Sequence, residues 1–248
     1  MNRALLSLLF LFFAAAGSFA AENQFQYSVR HHHTLKDCQG VLTITGTGVE
    51  YKTVHKNDSR KWSFDEIRLL RVESPTEISI LTYEDQKRYI GKDRTFSFQL
   101  VEGKVSGDLS AFLLARVRRP MVLAVLPPLS QDAEKPAFEI PVKHLHTIEG
   151  AMGLLRINSD RIIFQAPKEG DSRYWRLSDV SRFAQPDRYR FQIVSDVPMT
   201  GGPTEVYNFQ LLNELPSGVY DYLWVRLHPS SYYPAVLAET KKWPETNR

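Results

Sequence analysis

The chain has 248 residues, 43% of them hydrophobic, with 31 Lys and Arg against 28 Asp and Glu and a formal charge of +3. So balanced a charge weighs against the concentrated basic face that nucleic-acid phosphates demand, and no nucleic-acid partner is expected. One cysteine, Cys38, excludes an intramolecular disulfide framework, so the fold must rest on its hydrophobic cores.

The first 20 residues carry Arg3, an apolar run over 4–16 and a small-x-small ending at Ser18, Phe19 and Ala20. This pattern predicts a secretory signal peptide cleaved before Ala21, and its apolar run is too short for a spanning helix. The protein is therefore expected to be exported, periplasmic or secreted. No later stretch is apolar for about eighteen residues, so no transmembrane segment is expected after cleavage.

The chain then carries one unit twice. Residues 29–62 recur at 142–175 with a constant offset of 113 and eleven identities in thirty-four positions, where unrelated chains would give roughly two. The shared skeleton begins with Val-x-His-x-His-Thr (Val29, His31, His33, Thr34; Val142, His144, His146, Thr147). A glycine follows (Gly40; Gly153), then Leu-x-Ile (Leu42, Ile44; Leu155, Ile157), then Asp-Ser-Arg-x-Trp (Asp58, Ser59, Arg60, Trp62; Asp171, Ser172, Arg173, Trp175).

Each copy opens with alternating apolar residues broken by turn chemistry, at residues 45–48 and 158–161, which predicts hairpins. After each tryptophan come two further alternating strands. Ile78-x-Ile80 matches Phe191-x-Ile193, and Phe96-x-Phe98-x-Leu100 matches Tyr207-x-Phe209-x-Leu211. The hairpin between them is charged in the first copy (83–94) and Gly/Pro-rich in the second (198–203).

Both copies then change to helical spacing. Ser106-Gly107 introduces Leu109, Phe112, Leu113 and Val117, and Ser217-Gly218 introduces Val219, Leu223 and Leu227, each behind a serine cap. Arg116, Arg118 and Arg119 read as the charged end of the first helix. The apolar run 121–126 predicts an added strand, and 232–237 sits after the second helix as 121–126 sits after the first.

The expected fold class is α+β, mainly β: two small barrels or bent sandwiches, each closed by a C-terminal amphipathic helix. The expected layout is a signal peptide at 1–20, a first domain at 26–120, a linker with an added strand at 121–138, a second domain at 139–230 and a tail at 231–248. The strand order, the Gly-x-Leu-x-Ile hairpin, the step from Trp62 to Asp65-Glu66-Ile67 and from Trp175 to Asp179-Val180, and the closing helix resemble the pleckstrin-homology superfold in its GRAM-like bacterial form. The His-x-His and Asp-Ser-Arg-x-Trp pairs also resemble units of exported bacterial proteins. Lipid-binding members of the superfold hold inositol phosphates with basic residues in the loop joining the first two strands. Here those loops, 45–48 and 158–161, offer Arg161 alone, so phosphoinositide binding is not expected.

Among candidate sites, His31, His33, His144 and His146 are the sharpest chemical signal. Residues two apart on a strand face one way, so each pair can offer two imidazoles to one zinc, copper or nickel ion. The alternative is a structural role as hydrogen-bonded strand histidines. Arg60 with Trp62 and Arg173 with Trp175 suit an anionic ligand held by a guanidinium beside an aromatic ring, or a hairpin whose arginine pairs with an acid. Aromatics at Tyr83, Tyr89, Tyr189, Tyr220, Tyr222, Trp224, Tyr232, Tyr233 and Trp243 read either as core or as a groove. Cys38 has Ala151 as its counterpart and reads as a small buried residue.

No Gly-x-Ser-x-Gly, His-Glu-x-x-His, phosphate-cradling glycine loop or Cys-x-x-Cys occurs. The expected function is thus a non-catalytic binding or scaffolding module for a protein or peptide in the envelope, without a cofactor. The alternative is a metal-binding protein or metal-dependent enzyme built on the histidine pairs.

Overall fold

The computed structural model describes residues 24–32, 37–86, 91–128, 134–146, 149–198 and 204–228. The expected signal peptide and tail, with His33, Tyr89, Tyr232, Tyr233 and Trp243, lie outside the described residues.

The first half runs β1 (Phe25–His31), β2 (Cys38–Thr45), β3 (Gly48–Thr53), β4 (Arg60–Ser63), β5 (Ile67–Ser74), β6 (Glu77–Asp85) and β7 (Asp93–Leu100). Helix α1 (Gly107–Arg116) and a short strand β8 (Met121–Leu123) follow. The second half runs β9 (Phe138–Leu145), β10 (Gly150–Ile157), β11 (Arg161–Gln165), β12 (Arg173–Arg176), β13 (Val180–Asp187), β14 (Arg190–Pro198) and β15 (Thr204–Leu211), then α2 (Val219–Leu227).

These strands form because their apolar side chains alternate. In β9, Ile140, Val142 and His144 point inward while their neighbours are more exposed, and in β2 Leu42 and Ile44 do the same. The two halves share one connectivity. The first strand of each is flanked by the second and the last, β1 by β2 and β7, and β9 by β10 and β15.

The expected pair of closed barrels is not what the chain forms. All fifteen strands belong to one open sheet, ordered β13-β14-β15-β9-β10-β11-β12-β8-β5-β6-β7-β1-β2-β3-β4. The physical reason is β8. It runs parallel to β5, pairing Leu70 with Met121 and Val72 with Leu123, while its other edge meets β12 antiparallel at Tyr174 and Leu123. Closing the first half on itself would require the β5 edge that β8 already occupies. Within each half, single 3-10 turns at Phe64–Glu66 and Leu177–Asp179 redirect the chain between its two strand groups. No pairing of β4 with β5, or of β12 with β13, occurs in the sheet.

Two large hydrophobic clusters lie along this sheet, one around Leu42, Ile44, Tyr51 and Phe98 with Leu109 and Leu113 of α1, the other around Leu155, Ile157, Phe164 and Phe209 with Leu223 of α2. The helices therefore cover apolar surface of an open sheet and do not plug barrels. Ser106 caps α1 by accepting from the Leu109 N–H at 3.4 Å. The cap of α2 falls instead on Gly218, whose φ of 83° a side chain at Ser217 does not supplement.

Polar contacts reinforce the junction at β8. Arg176 donates to the carbonyls of Val117 and Arg119, each at 2.6 Å, and pairs with Asp179 at 2.8 Å. The Arg119 side chain lies over the Tyr83 ring, and Arg116 covers Phe112 at 4.5 Å. A small third cluster, Leu69, Val122 and Val197, brings β14 of the second half against β5 and β8. Beside it Arg71 pairs with Glu205 at 3.0 Å and with Glu73. Burial works against the Arg71 charge, and the two carboxylates more than offset it.

Arg71→Ala leaves both carboxylates facing each other without their cation. The unfolding free energy should fall by about 1–3 kcal/mol. A urea midpoint indistinguishable from wild type would show that this ion triad carries no weight at the junction.

Candidate functional site

The duplicated histidines occupy equivalent strand positions but not equivalent environments. His31 on β1 is buried, and its Nδ1 donates to the Ser97 carbonyl at 2.9 Å. Its ring sits among Tyr51, Phe96 and Phe98, with centroids 5.0–5.7 Å away. His144 on β9 is equally buried and stacks on Phe209 at 4.9 Å, with Phe164 at 5.4 Å, yet its Nδ1 has no hydrogen-bond partner. Burial, then the neighbouring His146 and Arg173, pushes the His144 pKa down to about 3, so the ring is neutral.

His146 lies with its ring centroid 4.2 Å from that of His144, and burial followed by Arg173 lowers its pKa too. The structure thus brings one expected pair together. It places no third ligand beside them: among the described residues no group of three or more His, Cys, Asp or Glu is arranged to hold a metal ion. His33 lies outside those residues.

The two arginine–tryptophan units are engaged by their own surroundings. Arg60 donates to the Asn57 carbonyl at 2.6 Å and the Ser59 carbonyl at 2.8 Å, while the Trp62 indole donates to Glu84 at 2.9 Å. Arg173 donates to the carbonyls of Gly170 and Ser172, both at 2.7 Å. Trp62 packs on Phe96 and Trp175 on Tyr207, and both indoles are buried. Ser59 and Ser172 also hold their turns, each accepting a backbone N–H six residues earlier, from Thr53 and Ala166.

What sequence reasoning missed is the divergence between the copies. In the first half the Cys38 thiol meets the Tyr51 hydroxyl at 3.0 Å, and burial followed by Cys38 pushes the tyrosine pKa up. The second half has Ala151 and Phe164 there, so hydroxyl and thiol vanish together. A hydroxyl instead appears at Tyr207, where the first half has Phe96. It is buried without a hydrogen-bond partner, its pKa raised by burial and then by the Glu205 charge. Two unpartnered buried polar atoms in one core each cost roughly 1–3 kcal/mol. The Phe96-to-Tyr207 exchange is visible in an alignment of the two copies, and it was the available signal.

At this end of the second half lies an open groove of about 640 Å³. Its lining combines Ala151, Met152, Ala166 and Pro167 with His146, Glu149, Lys168 and Asp171. It is built by the end of β9, the start of β10 and the loop before β12. Gly150 is required there, because a Cβ would approach the His144 carbonyl to 2.9 Å. Met152 is half exposed, so the groove presents thioether and methyl surface to solvent. Among the aromatics foreseen for a groove, Tyr83, Tyr189, Tyr220 and Trp224 are exposed elsewhere, and none of them lines it.

Neither a protein-family model nor a curated protein matches this chain. Among solved structures it is similar to the Spt16D Pob3N heterodimer at 9% identity, over 71% of this chain and 85% of that one, with a TM-score of 0.27. A likeness of that size carries no argument about fold or function. No helix among the described residues is long and apolar enough to cross a membrane.

His144 is neutral in the folded protein and titrates near its ordinary pKa when unfolded. Its contribution to stability is therefore complete above about pH 6.5 and is lost as pH falls toward about 3. Between pH 6 and 4, wild type should lose stability relative to His144→Phe by up to about 1.4 kcal/mol per pH unit. Parallel stability-against-pH curves for the two proteins would refute this.

Proposed function

We propose that the protein is an exported binding module that takes an extended polypeptide segment into the groove beside His146. The carrying observation is the groove's composition, which combines Ala151, Met152, Ala166 and Pro167 with side chains of both charge signs. A polyanion would favour a uniformly basic lining, and a polypeptide offers apolar side chains together with charges of either sign. Export is supported by Arg3, the apolar run over 4–16 and the small residues at 18–20.

The metal reading rests, among the described residues, on His144 and His146. Two imidazoles fall short of the three or four protein ligands usual for zinc, and His146 lines the groove while His144 is buried in the core.

Selection from a displayed library of random twelve-residue peptides against the full chain tests the reading. Enriched peptides should bind wild type in the micromolar range and Ala166→Arg, which fills the groove with a charged side chain, on the order of tenfold more weakly. No enrichment, or binding indifferent to Ala166→Arg, would remove the groove as the site.

A further inference from the structure

The two halves end their second hairpin differently, and the difference falls in the groove. β10 pairs with β9 along its whole length, from Gly150 to Ile157, but with β11 only from Leu154 to Ile157. The Asn158 N–H donates to the Arg161 carbonyl at 2.9 Å, which sets the backbone groups of residues 158, 156, 154 and, by alternation, 152 on the β11 side of the strand. Met152 lies past the point where β11 stops at Gln165, so its N–H and C=O point toward Ala166 and Pro167, with which it lines the groove.

In the first half the equivalent carbonyl is served by its own chain. There β3 reaches Thr53, opposite Gly40, one pair further than β11 reaches. Gln39 matches Met152 at the offset of 113, and the Thr53 hydroxyl donates to the Gln39 carbonyl at 2.7 Å. The second half has exchanged both residues that could do this. Ala166 stands in place of Thr53 and carries no hydroxyl. Pro167 stands in place of Val54, where the register sets it opposite Met152, and it carries no N–H. The turn itself is unchanged, since the N–H groups of Thr53 and Ala166 donate to Ser59 and Ser172 at 3.1 and 3.0 Å. The exchange removes donors and leaves the backbone where it was.

Building on the polypeptide reading of the groove, we propose that the bound segment is recognised through its main chain. Its amide N–H donates to the Met152 carbonyl and its carbonyl accepts from the Met152 N–H, extending the sheet where β11 ends. A ligand that covered the groove without a donor would strip water from this carbonyl and leave it unserved. A segment added as a strand takes its affinity from backbone bonds and tolerates varied side chains. The ligand class is therefore an extended segment with a free N–H opposite Met152, a position closed to proline.

Two substitutions at one position test this in the full-length chain. Ala166→Thr restores the first half's hydroxyl, which occupies the Met152 carbonyl as Thr53 occupies that of Gln39, and Ala166→Val adds the same bulk without the donor. Peptides enriched from the displayed library on wild type should bind Ala166→Thr on the order of tenfold more weakly than Ala166→Val. N-methylation of such a peptide, one residue at a time, should cost a similar factor at the residue facing Met152 and not at its two neighbours. Saturating peptide should slow hydrogen exchange of the Met152 amide. Equal binding to the two variants, or an N-methyl scan without a sensitive position, would overturn main-chain recognition, while the groove itself would survive on its sensitivity to Ala166→Arg. No enrichment would overturn both. A Met152 amide already protected in the free protein would also overturn the proposal, assigning its partner to another part of this chain or, if protection grows with protein concentration, to a second copy.

Discussion

Strand β8 is the constraint on which the architecture depends. Three residues, Met121, Val122 and Leu123, use both edges, one toward β5 and one toward β12, and all three side chains are buried. Each backbone N–H and C=O in a buried strand needs a partner, so a short apolar strand drawn between two sheet edges satisfies both at once. Side chains then follow the backbone. Met121 and Leu123 join the first core, and Val122 turns to the opposite face, where Leu69 and Val197 meet it. The Arg176 and Arg71 contacts lie around this strand because it brings segments far apart in the chain within reach.

Much of the fold was legible because it is local. Alternation in Leu42-x-Ile44 and Phe96-x-Phe98 specifies strands, and the serine–glycine steps at 106 and 217 mark helix starts. The sheet's continuity was not legible. A run such as 121–126 announces a buried strand but not its neighbours, and parallel pairing of residue 70 with 121 is a long-range contact that no local pattern encodes. The first half therefore read as a self-closing unit, although its free edge is filled from the connecting segment. The cap at Gly218 escaped for a smaller reason: Ser106 and Ser217 are identical letters, and only the backbone dihedral separates a side-chain cap from a left-handed glycine.

The candidate site shows a second limit. His31 and His144 are indistinguishable by motif, yet one ring donates to the Ser97 carbonyl and the other has no partner for the same atom. The rings of His144, on β9, and His146, just past its end, lie 4.2 Å apart between centroids. Whether such a pair binds a ligand depends on a third group that must come from another element, which spacing cannot supply. The arginine–tryptophan units are the converse case. In each, one arginine nitrogen donates to two turn carbonyls, and the Trp62 indole donates to Glu84, contacts that close the hairpins.

Retention in both copies points to the demands of folding, and divergence points to what folding does not demand. The Asp-Ser-Arg-x-Trp turns are kept because each serine and arginine satisfies backbone groups that would otherwise be orphaned. Cys38 and Tyr51 against Ala151 and Phe164 is a paired exchange that leaves neither partner stranded, since losing both members of a buried hydrogen bond costs far less than losing one. Tyr207 departs from that economy by adding a buried hydroxyl beside the Glu205 carboxylate, in the same core as the unpartnered Nδ1 of His144. Near those two atoms, the end of β9 and the start of β10 open into the groove. A core that leaves a buried polar atom unpartnered holds its local structure less firmly than one that does not. Low local stability is the property that ligand-binding regions share, which makes the second half, and not the first, the place to look for a partner.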